Sequence, residues 1–275
     1  MSFSGQTAWI TGASSGIGAA LARALARRGA RLVLSGRNVA ALEAVAAECG
    51  EALVLPFETT DITAIAPAVE KAWDWALGGS GGIDMLVNSA GISQRSLAVD
   101  TSFAVYERII GVDLLAPIAL TQAILPRLAA RGSGRVVMIS SIAGKVGVPL
   151  RTAYSAAKFG LIGYADALRT EVAQLGLKVH VIIPGSVRTD VSRNALTADG
   201  SRREASDKAI ENGIDPDVAA AEMLAAIARD EREIIVATGA EQALAELRRT
   251  PDAVFDQLAG LMASGYAEKM KAEGN

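Results

Sequence analysis

Cysteine, histidine and aromatic residues are all scarce in this chain of 275 residues. The one cysteine, Cys49, has no second thiol to pair with, so no disulfide can form within the chain, as is typical of a reducing compartment. It ends an alanine-rich helical stretch, where a buried or bystander thiol is expected rather than a nucleophile. The one histidine, His180, lies inside an apolar run, which favours core packing over catalysis. We predict no metal site.

The chain also lacks a strong charge imbalance and a long apolar run. Its net charge is −3 and its isoelectric point is about 5.4, which does not favour nucleic acid or an anionic membrane surface as a partner. No stretch of about 18 uncharged apolar residues occurs, so we predict no membrane span. The first residues lack the pattern of a signal peptide. We therefore expect a cytoplasmic protein without nucleic-acid or membrane partners.

The periodicity predicts an α/β fold. Hydrophobic residues make up 51% of the chain, enough for one large domain. Short apolar runs alternate with helical stretches, which indicates a parallel sheet covered on both faces. We predict a single Rossmann-type, doubly wound domain over residues 1–275 with about seven parallel strands. The strands are expected at residues 7–10, 31–35, 53–55, 85–87, 135–139, 178–183 and 233–237.

Three other segments carry predictions of their own. Residues 101–131 are expected to form one long helix, bent at Pro117 and broken late at Pro126. The polar segment 190–212 is expected to be a mobile lid over the ligand crevice. Residues 241–275 are expected to be a C-terminal helical extension that ends in a frayed tail from residue 266.

A glycine-rich turn follows the first predicted strand. Residues 11–18 have the sequence T-G-A-S-S-G-I-G, and an amphipathic helix follows them. Glycines allow the backbone to approach a pyrophosphate closely, and the start of the helix offers free N–H groups and a positive dipole end. Strand, glycine turn, helix and strand together predict the first unit of a dinucleotide-binding fold. A simple tight turn is the alternative.

No acidic residue ends the second predicted strand; Gly36 and Arg37 follow it instead. An acidic side chain at this place usually binds a free ribose 2′-hydroxyl. The planar guanidinium of Arg37 suits a 2′-phosphate, and Ser15 could add a hydroxyl. The pattern therefore favours NADP(H) over NAD(H), with a solvated cation at a helix start as the alternative for Arg37.

Ser141, Tyr154 and Lys158 can act together. Tyr154 and Lys158 are one helical turn apart, so a helix starting near Tyr154 places both on one face. A phenol beside a fixed ammonium is a suitable proton donor at neutral pH. Ser141 reaches them if a strand ends near it and the chain then turns back, and residues 134–141 have the sequence of such a strand.

The candidate motifs share one position in the predicted sheet. In open parallel sheets the ligand crevice lies beyond the carboxyl ends of the strands. The residues that fall at such ends are Gly12, Arg37, Glu58, Asn88, Ser141 and Pro184. One composite site follows from this convergence.

Taken together, these motifs resemble the short-chain dehydrogenase/reductase family over about residues 5–240. The motifs are the glycine turn, N-S-A-G from Asn88, the spacing Ser-x12-Tyr-x3-Lys, and P-G-S-V-R-T from Pro184. The segments G-I-S-Q-R-S-L-A-V-D-T-S and S-S-I-A-G-K-V-G-V-P-L-R-T-A-Y resemble more narrowly the dehydrogenase/reductase SDR member 7 group.

The resemblance implies a role for each matching residue. Ser141 orients the substrate carbonyl, Tyr154 is the general acid/base, and Lys158 holds the nicotinamide ribose and eases loss of the tyrosine proton. Asp113 stands where the family has a fourth catalytic residue, an asparagine; an ordinary helix residue is the alternative. The implied cofactor-binding residues are Gly12, Ser14, Ser15, Gly16, Ile17, Gly18, Arg37, Asn38, Glu58, Thr59, Asn88, Ala90, Gly91, Tyr154, Lys158, Pro184, Gly185, Val187 and Thr189.

Two further departures from the family are mild: Ser89 replaces the second asparagine of N-N-A-G, and Glu58 replaces an aspartate. The implied activity is hydride transfer between NADP(H) and an alcohol or ketone. The resemblance also implies a homodimer or homotetramer, because in the family the long helix and the helix starting at Tyr154 pack against their counterparts. Here both helices are rich in alanine and leucine, which suits such a contact. The alternative is a non-catalytic NADP(H)-binding sensor or regulator. Chain length and glycine spacing disfavour a sugar epimerase or dehydratase.

Overall fold

The computed structural model describes residues 3–265. In chain order its strands and longer helices are β1 (Thr7–Thr11), α1 (Gly16–Ala26), β2 (Arg31–Ser35), α2 (Val39–Ala47), β3 (Ala52–Val54), α3 (Ile62–Leu77), β4 (Met85–Asn88), α4 (Phe103–Ile110), α5 (Ala116–Arg131), β5 (Gly134–Ile139), α6 (Thr152–Val172), β6 (Leu177–Pro184), α7 (Lys208–Glu211), α8 (Pro216–Ala228), β7 (Glu233–Val236), α9 (Gly239–Glu246) and α10 (Asp252–Ala263). Short 3₁₀ turns occupy Ile142–Gly144 and Ala173–Leu175.

The strands form one seven-stranded sheet in the order β3-β2-β1-β4-β5-β6-β7, and all neighbouring strands are parallel. The strand order reverses between β1 and β4, which opens the crevice of a doubly wound sheet at that point. The predicted α/β Rossmann fold is confirmed, and each strand end lies within one residue of its sequence-based position.

Alternate residues of the central strands enter two separate cores, because side chains of a strand point to opposite faces. Ile10 and Leu34 pack with α1 and α8 on one face. Trp9 and Val33 pack with α3, α5 and α6 on the other. The central strands β1 and β4 are therefore buried on both faces, and a ligand can reach them at their ends.

The long helix differs from its prediction. A π-helical turn, Gly111–Leu115, separates α4 from α5, so the interruption precedes Pro117. Pro117 has no N–H to donate to a carbonyl one turn before it, and this favours a local change of helical pitch. Pro126 lies inside α5 without breaking it, and the helix ends at Gly132, whose φ is 71°. The expected late break at Pro126 is wrong.

Within residues 3–265, one helix, the continuous stretch 103–131, is long and apolar enough to cross a membrane by length and composition alone. Its side chains Leu120, Ile124 and Leu128 are buried in the core on the α3, α5 and α6 face of the sheet.

Segment 190–212 is largely irregular and is bonded to the loop after β4. Leu196 donates its N–H to the Ser93 carbonyl at 2.8 Å and accepts from the Arg95 N–H at 2.8 Å. Ser102 N–H donates to the Ala198 carbonyl at 2.8 Å. The extension from residue 241 contains α9 and α10; the tail predicted from residue 266 lies outside the described residues.

His180 lies buried in β6. Its Nδ1 is 2.7 Å from the Glu231 carbonyl and therefore carries the ring proton, since a carbonyl only accepts. Burial lowers the pKa of His180 to about 4, so the ring is neutral at pH 7. Cys49 is buried in the core as well.

Candidate active site

The glycine turn is packed so tightly that side chains are excluded at two of its positions. Gly12 has φ of 66°, and a Cβ added there would lie 2.8 Å from the backbone of Ala90. A Cβ on Gly18 would lie 2.3 Å from the Gly12 carbonyl oxygen. Ser14, Ser15 and Ile17 occupy the same turn and the start of α1. The first turn of α1 has no acidic side chain, so its positive end is available to an anion.

The end of β4 forms the floor of the crevice. The Thr11 hydroxyl accepts from the N–H groups of Ser89 at 3.1 Å and Ala90 at 3.2 Å, which joins this loop to β1. The Asn88 amide donates to the Thr121 hydroxyl at 3.1 Å. Its buried Oδ1 has no hydrogen-bond partner among residues 3–265, so this acceptor is available to a donor group of a ligand.

Arg37 lies at the end of β2 with 67% of its side chain exposed. Its Nη1 is 3.5 Å from Glu58 Oε2, a long and solvated contact that leaves the guanidinium available to an anion. Asn38 and Glu58 have local roles: Asn38 Oδ1 caps α2 by accepting from the Ala41 N–H at 3.1 Å, and Glu58 Oε1 accepts from the Thr60 N–H at 3.2 Å. Thr59, which follows Glu58 in the chain, is buried.

Ser141, Tyr154 and Lys158 lie at the adjoining ends of β5 and α6. Ser141 Oγ accepts from the Ala143 N–H at 3.1 Å, which leaves its own O–H free to donate. Lys158 Nζ lies 5.6 Å from the centre of the Tyr154 ring and donates to the Ile139 carbonyl at 3.0 Å. The Ser140 hydroxyl donates to the Lys158 carbonyl at 3.0 Å, which fixes β5 against α6.

Asp113 points into this site from the π-helical turn. It is fully buried, and its Oδ2 lies 3.2 Å from Lys158 Nζ. Its Oδ1 accepts from the Ile92 N–H at 2.9 Å. A Cβ on Gly91 would meet Asp113 Oδ2 at 3.2 Å, so the loop after β4 lies directly against the pair. Asp113 therefore lies directly against Lys158, beside the other predicted catalytic residues.

Burial and pairing act on this ion pair in opposite directions. Burial raises the pKa of the Asp113 carboxyl, and the Lys158 ammonium opposes that rise. Burial alone would lower the pKa of Lys158, but Asp113 and Tyr154 together outweigh it and the pKa of Lys158 is raised. Lys158 is therefore held as an ammonium inside the protein.

The loop after β6 closes the crevice on the far side. A Cβ on Gly16 would lie 3.2 Å from Thr189 Cγ2, so this loop reaches the glycine turn. Val187 is buried. Gly185 leaves room for Glu241 of α9, whose Oε2 accepts from the Ser186 N–H at 2.7 Å.

Comparisons with known proteins agree with the family that the sequence motifs resemble. Residues 6–200 match the family model of short chain dehydrogenases. The chain is 38% identical over 274 residues to dehydrogenase/reductase SDR family member 7B of Bos taurus, an alignment that covers 96% of this chain and 82% of that protein.

The chain belongs to the short-chain dehydrogenase/reductase family.

Three solved family structures illustrate the likeness. A metagenomic short-chain oxidoreductase in complex with NADP is 34% identical with a TM-score of 0.69, covering 86% of this chain and 98% of that one. A Sphingobium yanoikuyae dehydrogenase in complex with NADPH is 27% identical with a TM-score of 0.73, covering 95% of each chain. A Burkholderia phymatum enzyme in complex with NAD, 22% identical with a TM-score of 0.75 and covering 86% and 90%, shares the fold alone.

The residues of this family member fit a dinucleotide. The glycine turn has no side chains at its closest contacts, and the helix that follows it offers a positive end to an anion. Asn88 Oδ1 lacks a hydrogen-bond donor within residues 3–265. Arg37 is exposed at the edge of the crevice. Among residues 3–265 no group of three His, Cys, Asp or Glu side chains is placed to hold a metal ion.

Two positioning residues of this oxidoreductase escaped the sequence analysis. Glu241 holds the loop after Pro184 through Ser186, and Gln94 Oε1 accepts from the Ala153 N–H at 2.9 Å, next to Tyr154. Gln94 is completely buried. Each acts on a segment more than 50 residues away, so no local pattern identifies it.

Proposed function

We propose that this oxidoreductase transfers a hydride between NADP(H) and an alcohol or ketone. The observation that carries the proposal is the placement of Ser141, Tyr154 and the buried Lys158 ammonium at the same sheet edge as the glycine turn. A proton donor, an oxyanion donor and a phosphate cradle thus share one crevice. When bound, the nicotinamide supplies the hydride, and the chain positions and polarises the reacting groups.

Different groups of residues would bind different parts of the cofactor. Gly12, Ser14, Ser15, Gly16 and the N–H groups of Ile17 and Gly18 would hold the pyrophosphate. Asn88, Ala90 and Gly91 would form the floor beneath the adenine-side ribose and the nicotinamide. Pro184, Gly185, Val187 and Thr189 would flank the nicotinamide.

The preference for NADP(H) rests on Arg37, with Asn38, Glu58 and Thr59 around it. The exposed guanidinium has one long contact with a carboxylate and suits a 2′-phosphate. The neighbours in complex with NADP and NADPH support this preference, and NAD(H) is the less favoured cofactor.

The proton and charge are handled by three side chains. Ser141 donates its free O–H to the substrate oxygen, a type of contact typically worth about 3 kcal/mol to the transition state. Tyr154 gives its proton to that oxygen as the hydride arrives at carbon, or takes it back in oxidation. The Lys158 ammonium stabilises the phenolate that forms, since opposite charges attract strongly in a buried site.

The direct test is turnover of a panel of ketones with NADPH and of alcohols with NADP⁺. Tyr154→Phe is expected to remove activity by about three orders of magnitude or more, since the acid is lost. Tyr164→Phe on the same helix is the matched control and should retain turnover. A Tyr154→Phe enzyme of normal activity contradicts the assignment.

A non-catalytic NADP(H) sensor is the second candidate, and Asp113 favours it, because the carboxylate already pairs with Lys158. NADPH binding by calorimetry with no turnover on any substrate, in a folded wild-type protein, would support it.

In either case we propose a homodimer or homotetramer formed through α4, α5 and α6. Phe103 and Leu115 on that surface are 75% and 54% exposed. Light scattering in solution tests the assembly.

A further inference from the structure

Asp207 lies among three arginines. Arg95, in the loop after β4, donates Nε to Asp207 Oδ2 at 2.7 Å. Arg151, immediately before α6, donates Nη2 to the same oxygen at 3.3 Å. Arg203, in segment 190–212, donates Nη1 to Oδ1. This arginine cluster (Arg95, Arg151, Arg203 and Asp207) joins three segments that surround the crevice.

The cluster has more positive than negative charge. Within residues 3–265, Asp207 is the one carboxylate in hydrogen-bond or ion-pair contact with these three guanidiniums. Arginine stays protonated in proteins, so the surplus of two charges is not relieved by loss of a proton. The Arg95 side chain is 7% exposed, so part of this charge is poorly solvated.

The guanidiniums also repel one another. Burial lowers the pKa of Arg95, and the charges of Arg151 and Arg203 lower it further. An added anion would therefore gain attraction from the cluster and relieve this repulsion.

Arg151 has donors to spare. Its Nη2 contact with Asp207 is its one side-chain hydrogen bond within residues 3–265, whereas a guanidinium has five N–H donors. The side chain is 24% exposed, so its remaining donors reach open space. Arg95, by contrast, also donates to the Ser93 hydroxyl and the Gln94 carbonyl.

The cluster lies beside the catalytic residue. Arg151 precedes α6 by one residue, and Tyr154 is in the first turn of that helix. Gln94, next to Arg95, binds the Ala153 N–H. The positive end of the α6 dipole adds to the same field.

We propose that the arginine cluster is an anion subsite that binds a carboxylate or phosphate group of the substrate, with Arg151 in direct contact. Asp207 holds the three guanidiniums together despite their repulsion. The inference rests on the proposed function and deepens it: the substrate is a ketone or alcohol that carries an anionic group a short distance from its reacting carbon.

The test uses matched substrate pairs with NADPH. One pair is an aromatic keto acid and its methyl ester, and the other is a hydroxyketone phosphate and the free hydroxyketone. The anionic member should have a kcat/KM about ten- to a hundredfold higher. Arg151→Gln should abolish that preference. Arg202→Gln replaces an exposed cation of segment 190–212 that lies outside the cluster, and this variant should retain the preference. The pair that shows the preference tells carboxylate from phosphate.

A readout without turnover separates this inference from the proposed function. Benzoate and inorganic phosphate are added to the protein, and thermal unfolding is followed in wild type, Arg151→Gln and Arg151→Lys. Stabilisation of wild type that is lost in Arg151→Gln supports the subsite even if no ketone is reduced. Equal turnover of acid and ester together with equal shifts in all three proteins overturns it. Arg151→Lys keeps the charge and serves if Arg151→Gln fails to fold.

Discussion

Asp113 Oδ2 lies 3.2 Å from Lys158 Nζ, and both side chains are buried in the crevice. A lone ammonium would stabilise a neighbouring phenolate with its full charge. The carboxylate offsets part of that charge, so Asp113 controls how much positive charge Lys158 presents to the Tyr154 ring.

Asp113→Asn should move the pH profile. With the carboxylate removed, the burial of Lys158 is no longer opposed by the ion pair, so the pKa of Lys158 falls. The fall of reductive kcat/KM at high pH should then begin at a lower pH than in wild type, because the ammonium that stabilises the phenolate loses its proton earlier. Ketone reduction with NADPH is measured across pH. An unshifted profile in a folded Asp113→Asn protein would show that the carboxylate does not control the protonation of Lys158.

Arg37→Asp should change the cofactor. The aspartate repels a 2′-phosphate and can accept from a ribose 2′-hydroxyl, so the ratio of kcat/KM for NADPH over NADH should fall by about two orders of magnitude. Steady-state kinetics with both cofactors measures it. Arg27→Asp is the control: Arg27 is an exposed arginine that caps the C-terminus of α1, and the ratio for this variant should match wild type. The same ratio in Arg37→Asp contradicts the proposed NADP(H) preference.

Two helical glycines offer a matched pair of alanine substitutions. In Gly18→Ala the new methyl group lies 2.3 Å from the Gly12 carbonyl oxygen, so the turn must shift. We expect a loss of about 1–3 kcal/mol in unfolding free energy and weaker NADPH binding. A Cβ on Gly163 of α6 meets nothing within 4 Å. Gly163→Ala should stabilise the protein by up to about 1 kcal/mol. Denaturant unfolding and NADPH titration compare the two variants. Equal effects on stability and on NADPH binding would contradict the close packing of Gly18.

His180 should make stability depend on pH in the mildly acidic range. The unfolded chain binds a proton near pH 6.5, whereas the folded protein does so only near pH 4. Stability from the neutral ring is therefore fully present above pH 6.5 and is lost as pH falls towards 4, by up to about 1.4 kcal/mol per pH unit. Denaturant midpoints between these values should fall less steeply in His180→Gln than in wild type. Parallel slopes would show that the histidine protonates equally in both states.

Local sequence patterns predicted the sheet, the glycine turn and the positions of Ser141, Tyr154 and Lys158. These features depend on apolar periodicity and on residues close in sequence, so one segment at a time suffices. The π-helical turn was missed because Pro117 predicts an interruption of the helix but not its position or type; in the structure the turn precedes Pro117 and carries Asp113, which is bonded to Ile92 in the loop after β4. Gln94, Glu241 and the arginine cluster were missed for a related reason. Arg95 and Asp207 are 112 residues apart, and no composition or spacing predicts that they meet.

The π-helical turn has a consequence for how this region tolerates change. One added residue rotates everything after it by about 100° around the helix axis. Asp113 can thus face the crevice while α5 keeps Leu120 and Ile124 on the sheet. Substitutions before and after the turn can be made independently of each other. Deleting a single residue within Gly111–Leu115 would affect both sides at once. The resulting unbroken α-helix would lose either the ion pair of Asp113 or the core contacts of α5.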